Sequence, residues 1–388
     1  MSQTLDVLGN ISAEQFLAEY WQKKPLLVRN AIPEITGLLE PKDVMELALD
    51  ENITARLIKQ KDKDPNQWTV KSSPLIKGDF QKMPKLWTLL VQAVDHYSFD
   101  LAEMWKKFPF IPQWRRDDIM VSYAPQGGSV GKHFDFYDVF LVQGHGHRRW
   151  QLGQMCDEST EFVAGQPLKL LPELEVSFDE VLAPGDMLYV PPGLAHYGVA
   201  EDECLTYSFG FRMPNVADMM DSVGDTFSKY DTLSNPLQDI QRDQATAIGE
   251  ITHSELEYMR EKLLAQLQSP SHLNDALMCL ISQPTYPENI PENEEIGTGD
   301  LEEALEAGYA IKLEPASRLL YSTVGDQIHF WANGESLNIS TAFATHLKLV
   351  ADGQAIPLNE SLYDQEILED LVELLNSSIV MLLPADEI

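Results

Sequence analysis

The middle of the chain alternates short apolar runs with turn residues, a pattern typical of an antiparallel β domain. Turns such as Pro184-Gly185-Asp186 separate the runs, because proline restricts one backbone dihedral and glycine accepts a positive φ. We therefore predict a β-rich region from about residue 119 to residue 212, arranged as a sandwich or barrel. Its predicted strands are Asp118–Tyr123, His133–Gln143, Arg148–Leu152, Glu180–Leu182, Met187–Val190, His196–Val199 and Leu205–Phe211.

The segment before this region mixes helical and extended patterns. Ser12 and Gln15 form a capping-box start for a helix, and the apolar β-prone run Leu26–Val28 predicts a first strand. The remaining predictions for this segment are helices at Asp43–Leu49 and Leu86–Val94 and lysine-rich turns around Lys59–Lys63.

Helical spacing returns after the β-rich region, from Val216 to about Ser269. Its apolar positions are Leu237, Ile240, Ala247 and Ile251, followed by the more regular set Leu256, Met259, Leu263 and Leu267. Apolar helices outside a barrel either pack within the chain or cover a second copy. We predict that residues 215–283 form a helical dimerisation region, with packing inside the chain as the alternative.

Residues 284–299 contain three prolines and several acidic residues without periodicity, which indicates a linker. Beyond it, a helix at Leu301–Ala310, extended segments at Arg318–Tyr321 and Gln327–Ala332, and a last helix near residues 362–375 predict a winged-helix-like domain over residues 300–388. That domain has 16 acidic and 3 basic residues, so we expect it to mediate protein contacts and not to bind nucleic acid directly.

The whole chain is strongly acidic, with 28 basic residues, 61 acidic residues and a net charge of −33. This charge disfavours binding to nucleic acid or to an anionic membrane, and it attracts basic partners. The three cysteines form no CxxC pair, and neither a signal peptide nor a membrane-spanning apolar run is visible. These features predict a cytoplasmic protein.

Candidate chemistry is concentrated in the β-rich region. His133 and Asp135 are two residues apart on a predicted strand, so that their side chains would share a face. His196 follows a Pro/Gly turn 63 residues later, far enough for the strands between them to return it to the same end of a barrel. Two histidines and one carboxylate form the facial triad that holds Fe(II) with open coordination positions. The His145 and His147 pair also alternates, but it flanks Gly146 in a predicted hairpin turn, and we interpret it as loop.

Arg148 opens the strand after the predicted ligand strand. Open positions on Fe(II) suit a chelating 2-oxo acid such as 2-oxoglutarate together with O2, and the distal carboxylate of such an acid needs a buried cation. An arginine engages a carboxylate bidentately. Because Trp150 and Leu152 are in phase with Arg148 and apolar, we predict that Arg148 points inward and binds this carboxylate. The alternative is a surface charge.

These motifs resemble a known family. His133, Asp135, Arg148 and the run PGDMLYVPPGLAH resemble the JmjC-type 2-oxoglutarate oxygenases, and the phrases YDVFLVQGHGHRRWQLG and SFGFR are similar to the bacterial ribosomal oxygenases among them. The resemblance implies an α+β protein with a double-stranded β-helix (a cupin/JmjC jelly roll, residues 1–214), a helical dimerisation region and a winged-helix-like domain. It covers nearly the whole chain, although the C-terminal half rests on arrangement more than on motif.

The resemblance also implies an activity. Bacterial members hydroxylate an arginyl residue of large-subunit ribosomal protein sixteen, and oxidative decarboxylation of 2-oxoglutarate releases succinate and CO2. His133, Asp135 and His196 would bind Fe(II), Arg148 would bind the cosubstrate, and no residue beyond the metal ligands is expected to be catalytic. A basic ribosomal protein as substrate agrees with the acidic charge.

Substrate contacts can be proposed from alternation. Asp118, Met120 and Ser122 share one face of the first inner strand, Tyr137 continues the phase of the ligands, and Thr206 alternates with Ser208. We predict that Asp118 and Ser208 bind the guanidinium and that Met120 and Tyr137 line the stem of the substrate side chain. Ser122 would lie nearer the cosubstrate. For each of these residues, a structural role inside the barrel is the alternative.

Three other functions fit the sequence. The first is a histidyl or lysyl protein hydroxylase or demethylase with the same iron chemistry. The second is a cupin metal isomerase that acts on a sugar, in which Arg148 would be free to face solvent. The third is an acidic dimeric scaffold for ribosomal proteins, for which His133 and Asp135 would be dispensable.

Overall fold

The computed structural model describes residues 6–61, 64–231, 233, 235–238, 247–293 and 295–384. The chain divides after Met213 into two compact units. Within the described residues, no helix is both long and apolar enough to cross a membrane.

The first unit is built mainly of short antiparallel strands. Its elements are α1 (Ala13–Glu19), β1 (Leu26–Val28), α2 (Pro41–Leu47), β2 (Ala55–Lys61), β3 (Asp64–Ser72), β4 (Leu86–Val91), α3 (Phe99–Glu103), β5 (Arg116–Ala124), β6 (Asp138–His145), β7 (Arg148–Met155), β8 (Phe178–Leu182), β9 (Met187–Val190), β10 (Leu194–Ala200) and β11 (Cys204–Phe211).

These strands form two sheets. The large sheet has eight strands in the order β1-β9-β6-β11-β5-β4-β2-β3, and the small sheet has three in the order β10-β7-β8. In the large sheet, strands β6, β9 and β11 are buried on both faces. On β6, Phe140 and Val142 belong to the aromatic-rich core that also contains Phe16 of α1, whereas Val139 and Leu141 pack with residues of the small sheet. Because side chains alternate between the two faces of a strand, β6 contributes residues to both cores.

Several local signals act as predicted. The Ser12 hydroxyl accepts a hydrogen bond from the backbone N–H of Gln15 and caps α1. β1 and β9 have the predicted bounds, and Gly185 adopts a positive φ in its turn.

Three predictions are wrong. The helix predicted at Leu86–Val94 is instead strand β4, because an apolar run that is covered on both faces has no periodicity to separate helix from strand. Lysine-rich turns are predicted around Lys59–Lys63, but Lys59 to Lys61 belong to strand β2, which pairs with β3, and residues 62–63 lie outside the described residues. The single strand predicted from His133 begins only at Asp138, and residues 134–137 form an irregular segment.

The second unit combines helices with two small sheets. Its elements are α4 (Val216–Ser228), α5 (His253–Leu267), α6 (Pro270–Ser282), α7 (Thr298–Glu306), β12 (Tyr309–Leu313), β13 (Leu319–Val324), β14 (Gln327–Ala332), β15 (Glu335–Leu337), α8 (Thr341–Ala351), β16 (Ile356–Pro357), α9 (Gln365–Asn376) and β17 (Val380–Pro384). The sheets have the orders β13-β14-β15 and β16-β12-β17.

Helices α4 and α6 pack together, with Ser222 Oγ donating to the carbonyl of Ala276 at 2.8 Å. Ile240, part of the first predicted helical stripe, lies outside the described residues. Ala247–Ile251 is not helical; α5 begins one residue after its cap, Thr252. The hairpin β13–β14, its turn at Gly325, and the final helix agree with the predicted winged helix.

Candidate metal and carboxylate-binding site

Main-chain hydrogen bonds hold the three predicted metal ligands together. The N–H of His133 donates to the carbonyl of His196 at 3.1 Å, and the N–H of His196 donates back to the carbonyl of His133 at 2.8 Å. The N–H of Gly193, in the Pro/Gly turn, donates to the carbonyl of Asp135 at 2.7 Å. His133 and Asp135 thus share a site because their irregular segment is tied to β10, and not because they alternate on a strand.

The imidazoles present the correct nitrogen atoms to a common point. Nδ1 of His133 lies 3.0 Å from the carbonyl of Gly131, and Nδ1 of His196 lies 3.0 Å from the carbonyl of Leu194. A carbonyl only accepts, so each Nδ1 carries the proton and each Nε2 keeps its lone pair. Such outer hydrogen bonds are typical of metal-bound histidines.

The donor atoms are spaced to share an ion. Nε2 of His133 and Nε2 of His196 lie 3.7 and 3.6 Å from Oδ2 of Asp135, which is too long for a direct hydrogen bond. The three ligand atoms lie within 4.8 Å of one another. Burial, reinforced by the neighbouring His133, lowers the pKa of His196 to about 4. His196 is therefore neutral and ready to donate its lone pair, and the set fits a divalent transition metal.

Arg148 points into the space between the two sheets. It is 2% exposed and donates from Nη1 to the hydroxyl of Ser122 at 3.2 Å. Its Nε has no hydrogen-bond partner, and the oxygen atoms of the described residues to which Nη1 and Nη2 donate are the Ser122 hydroxyl and the Gly198 carbonyl, neither of them a carboxylate. Burial lowers its pKa from the ordinary value. A buried guanidinium with an unused N–H fits the carboxylate of a small organic acid.

Trp150 and Gly198 lie between the metal ligands and Arg148. The sequence predicts no role in the site for either residue. In the register of β7 and β10, His196 lies opposite Leu152 and Gly198 lies opposite Trp150. The Trp150 ring lies 5.9 Å from the His196 ring and 5.2 Å from the Arg148 guanidinium carbon. A Cβ at Gly198 would lie 2.7 Å from the Trp150 ring and 2.8 Å from Arg148 Nε. The one usable sequence signal was a glycine two residues after His196.

Four of the predicted pocket residues share one face of the large sheet. Met120 is paired with Ser208, and Ser122 with Thr206, so these side chains point the same way. Asp118 lies on the same face of β5, is buried, and accepts a hydrogen bond from the N–H of Ala93 at 2.8 Å.

The acidic end of this face has a distinct electrostatic character. Burial, together with the nearby carboxylates of Asp117 and Asp95, raises the pKa of Asp118 to about 8. Asp117 forms an ion pair with Arg212, and the Arg212 guanidinium stacks over the ring of Tyr137 at 5.1 Å. The predicted stem-lining residue Tyr137 therefore follows the ligand Asp135 by two residues and adjoins the acidic cluster through Arg212.

The other alternating histidines lie away from the site. His145 and His147 flank Gly146, which has a φ of 58°, at the turn between β6 and β7. His147 is exposed and binds Asp202 through its N–H and through Nδ1 at 2.8 Å. The loop prediction is confirmed for His147, but it is wrong for His145, which is the last residue of β6 and is paired with Leu205 of β11.

The chain matches two family models, the JmjC domain over residues 103–219 and the ROXA-like winged helix over residues 263–381. It is 43% identical to a probable ribosomal oxygenase of Haemophilus influenzae over 360 residues, which cover 89% of this chain and 87% of that protein. It is also 30% identical to the ribosomal protein uL16 3-hydroxylase of Escherichia coli over 368 residues, which cover 93% of this chain and 95% of that protein.

Solved structures agree with these matches. The X-ray structure of E. coli YcfD has a TM-score of 0.85 at 28% identity and covers 99% of this chain and 100% of that chain. A structure of YcfD in complex with cobalt and 2-oxoglutarate has a TM-score of 0.83 at 28% identity and covers 96% of this chain and 98% of that chain. The predicted jelly roll with a C-terminal winged helix is confirmed.

Proposed function

The chain belongs to the JmjC-type ribosomal oxygenases, and from that premise we propose that it hydroxylates an arginyl residue of ribosomal protein uL16, consuming 2-oxoglutarate and O2 and releasing succinate and CO2. The observation that carries the proposal is the buried Arg148, which has an unused N–H and stands one tryptophan away from the His133, Asp135 and His196 cluster. The E. coli relative named as a uL16 3-hydroxylase supports the substrate.

His133, Asp135 and His196 would hold Fe(II), which when bound supplies the activation of O2 coupled to oxidation of 2-oxoglutarate. The chain orients both imidazoles through the Gly131 and Leu194 carbonyls, which accept from Nδ1 and turn Nε2 toward the metal position. No side chain is needed as a general base. The role of the protein is to present these three donors on one side and to leave the other side open.

Arg148 and Ser122 would orient the cosubstrate. The Arg148 guanidinium would bind the distal carboxylate, and the Ser122 hydroxyl, which already accepts from Nη1, would fix the guanidinium plane. Because Arg148 is buried, this charged contact would be strong and would hold the acid in one orientation.

Asp118 and Ser208 would receive the guanidinium of the substrate, with Met120 and Tyr137 along its methylenes. The arrangement supports a cationic side chain, because Asp118 is crowded by other carboxylates and a bound cation would relieve that repulsion. The net charge of −33 supports encounter with a basic ribosomal protein. We propose that the enzyme acts in the cytoplasm.

The test is incubation of the purified protein with recombinant uL16, Fe(II) and 2-oxoglutarate, followed by mass spectrometry and a succinate assay. We expect one added oxygen on an arginine, and no addition when 2-oxoglutarate is omitted or His133→Ala is used. Oxygen on a lysine or histidine, or loss of methyl groups, would favour the related hydroxylases and demethylases. If uL16 stays unmodified and the His133→Ala variant still supports the cellular function of the protein, the result would favour a scaffold. If the protein converts a sugar without 2-oxoglutarate, the result would favour a cupin isomerase.

We also propose a homodimer formed through residues 215–283. Helix α5 leaves Leu256, Met259 and Leu263 about half exposed on its surface, and a second copy would cover them. Light scattering of the full chain should give twice the monomer mass, and Leu256→Ser with Leu263→Ser should reduce it to the monomer. A monomeric wild type would contradict the dimer.

A further inference from the structure

An exposed phenylalanine directly follows the metal ligand Asp135. Phe136 is 61% exposed, whereas every other phenylalanine of the described residues is buried or half-buried. Its ring packs against the Phe134 ring in a T-shaped arrangement, with centroids 5.1 Å apart. A single exposed ring is common on protein surfaces, whereas an apolar patch rimmed by polar residues marks an interaction site, so the neighbours of Phe136 decide its meaning.

A second exposed apolar side chain lies beside the same ligand. Met155, at the end of β7, is also 61% exposed. Its methyl lies 3.4 Å from the position that a Cβ would take at Gly193, and Gly193 is the residue that holds the carbonyl of Asp135. Phe136 and Met155 therefore both adjoin the Asp135–Gly193 contact.

Acidic residues continue this surface. The segment that follows Met155 exposes Asp157, Glu158 and Glu161. The Ser159 hydroxyl and N–H bind the Asp157 carboxylate and lower its pKa, which keeps it charged. We call Phe136, Met155, Asp157, Glu158 and Glu161 together the rim patch.

The rim patch is held firmly to the ligand segment. The ring of Phe162, one residue after Glu161, stacks on the buried Phe134 at 5.7 Å. The N–H of Leu171 donates to the carbonyl of Lys132 at 2.8 Å. The acidic segment is thus anchored on both sides of His133, and the patch can act as a preformed binding surface.

We propose that the rim patch docks the stretch of substrate polypeptide that flanks the hydroxylated residue, and this assignment rests on the function proposed above. The occupant is a basic protein segment that places an apolar side chain on Phe136 and Met155 and lysines or arginines along Asp157, Glu158 and Glu161. Charge complementarity and continuity with the metal site favour this occupant. The patch would determine which of many arginines on a basic protein enters the pocket.

The test compares intact uL16 as substrate for wild type, Met155→Ala, and the double variant Phe136→Ala with Met155→Ala. We expect the KM for uL16 to rise about ten-fold in the double variant, with kcat changed less than about two-fold. The affinity for 2-oxoglutarate in the presence of Co(II), measured by calorimetry, should stay unchanged, because the ligands are intact. The matched control is Ile76→Ala, which removes a side chain that is 62% exposed elsewhere on the same unit.

A second pair of measurements tests the charged half of the patch. Glu158→Lys with Glu161→Lys should raise the KM for uL16 and weaken its dependence on salt. An unchanged KM in the apolar double variant, or a loss of 2-oxoglutarate affinity equal to the loss of activity, would overturn the docking role. If the wild type leaves uL16 unmodified, the proposed substrate is wrong and the docking role falls with it. If it modifies uL16, only the rim patch is in question.

Discussion

The inner and outer sides of strand β7 present neighbouring arginines in opposite environments. Arg148 lies between the sheets beside Ser122, and the described residues supply no carboxylate to pair with it. Arg149 points outward and pairs with Asp179 at 2.6 Å. An exposed ion pair such as Arg149 and Asp179 contributes little to the stability of the fold. A buried unpaired charge lowers that stability unless a bound ligand pairs with it. Burial therefore separates a binding residue from a surface charge of the same type.

The histidines repeat this contrast. His196 is 3% exposed and is fixed by its own main chain and by the Leu194 carbonyl. His147 is exposed at a hairpin turn and binds Asp202. The sequence offers both as candidates, His196 because it follows a Pro/Gly turn and His147 because it alternates with His145, but only the inner histidine has the rigid frame that a metal site requires.

Replacing an inner ligand should have the largest effect. We expect Asp135→Ala and His196→Ala to abolish uL16 hydroxylation and to weaken Co(II) binding by more than the roughly 10–100-fold that loss of an outer hydrogen-bond partner costs. His145→Ala with His147→Ala should leave both unchanged. Calorimetric titration with Co(II) provides a readout that does not depend on turnover. Equal losses of hydroxylation and of Co(II) affinity in the two sets of variants would show that the inner residues do not form the metal site.

The two arginines should differ next. Arg148→Ala should weaken 2-oxoglutarate binding about 100-fold, because truncating one partner of a buried charge pair costs about 2–5 kcal/mol. Arg148→Lys should retain part of the affinity, since the charge remains but the bidentate fork is lost. Arg149→Ala should change the dissociation constant by less than about two-fold. Similar constants for the Ala variants at both positions would contradict the assignment of Arg148.

A glycine pair sharpens the comparison without changing a charge. In Gly198→Ala the new methyl would collide with Trp150 and Arg148, and overpacking of about 1–3 kcal/mol predicts roughly ten-fold weaker 2-oxoglutarate binding. Gly224 of helix α4 has no atom within 4 Å of a new Cβ. Gly224→Ala should leave that affinity intact and stabilise the protein by about 0.5–1 kcal/mol, as measured by thermal and chemical unfolding. Tight cosubstrate binding by the Gly198 variant would show that the close packing is dispensable.

The smallest expected effect is on the pH dependence of substrate binding, and it compares two aspartates. Burial raises the pKa of Asp118 to about 8, whereas hydrogen bonds from Arg149 lower the pKa of the exposed Asp179 to about 2. Below pH 8 the free Asp118 is largely protonated, and a bound guanidinium would lower its pKa, so substrate binding should release a proton and tighten between pH 6.5 and 8.5. Calorimetry in buffers of different ionisation enthalpy counts the proton. Asp118→Asn should abolish its release and Asp179→Asn should not; a proton released by both variants would exclude Asp118 as its source.

The sequence alone supports most of the barrel and the choice of ligands. The turn at Pro184-Gly185-Asp186 and the alternation in β5 and β11 are local properties, since neighbouring residues determine them. The chemical requirement for two imidazoles and a carboxylate singled out His133, Asp135 and His196, and the in-phase Trp150 and Leu152 predicted that Arg148 is inward.

Other features depend on contacts between residues distant in the chain. β4 is a strand because β2 and β5 flank it, and a fully buried apolar run does not carry that information. The irregular segment after His133 is tied to β10 by main-chain hydrogen bonds. The pKa of Asp118 is raised first by burial, which the tertiary fold produces, and then by the carboxylates of Asp117 and Asp95. The exposure of Phe136 is likewise set by what packs around it. Residue type determines which chemistry is available, whereas burial and long-range hydrogen bonds determine which of the available groups are used.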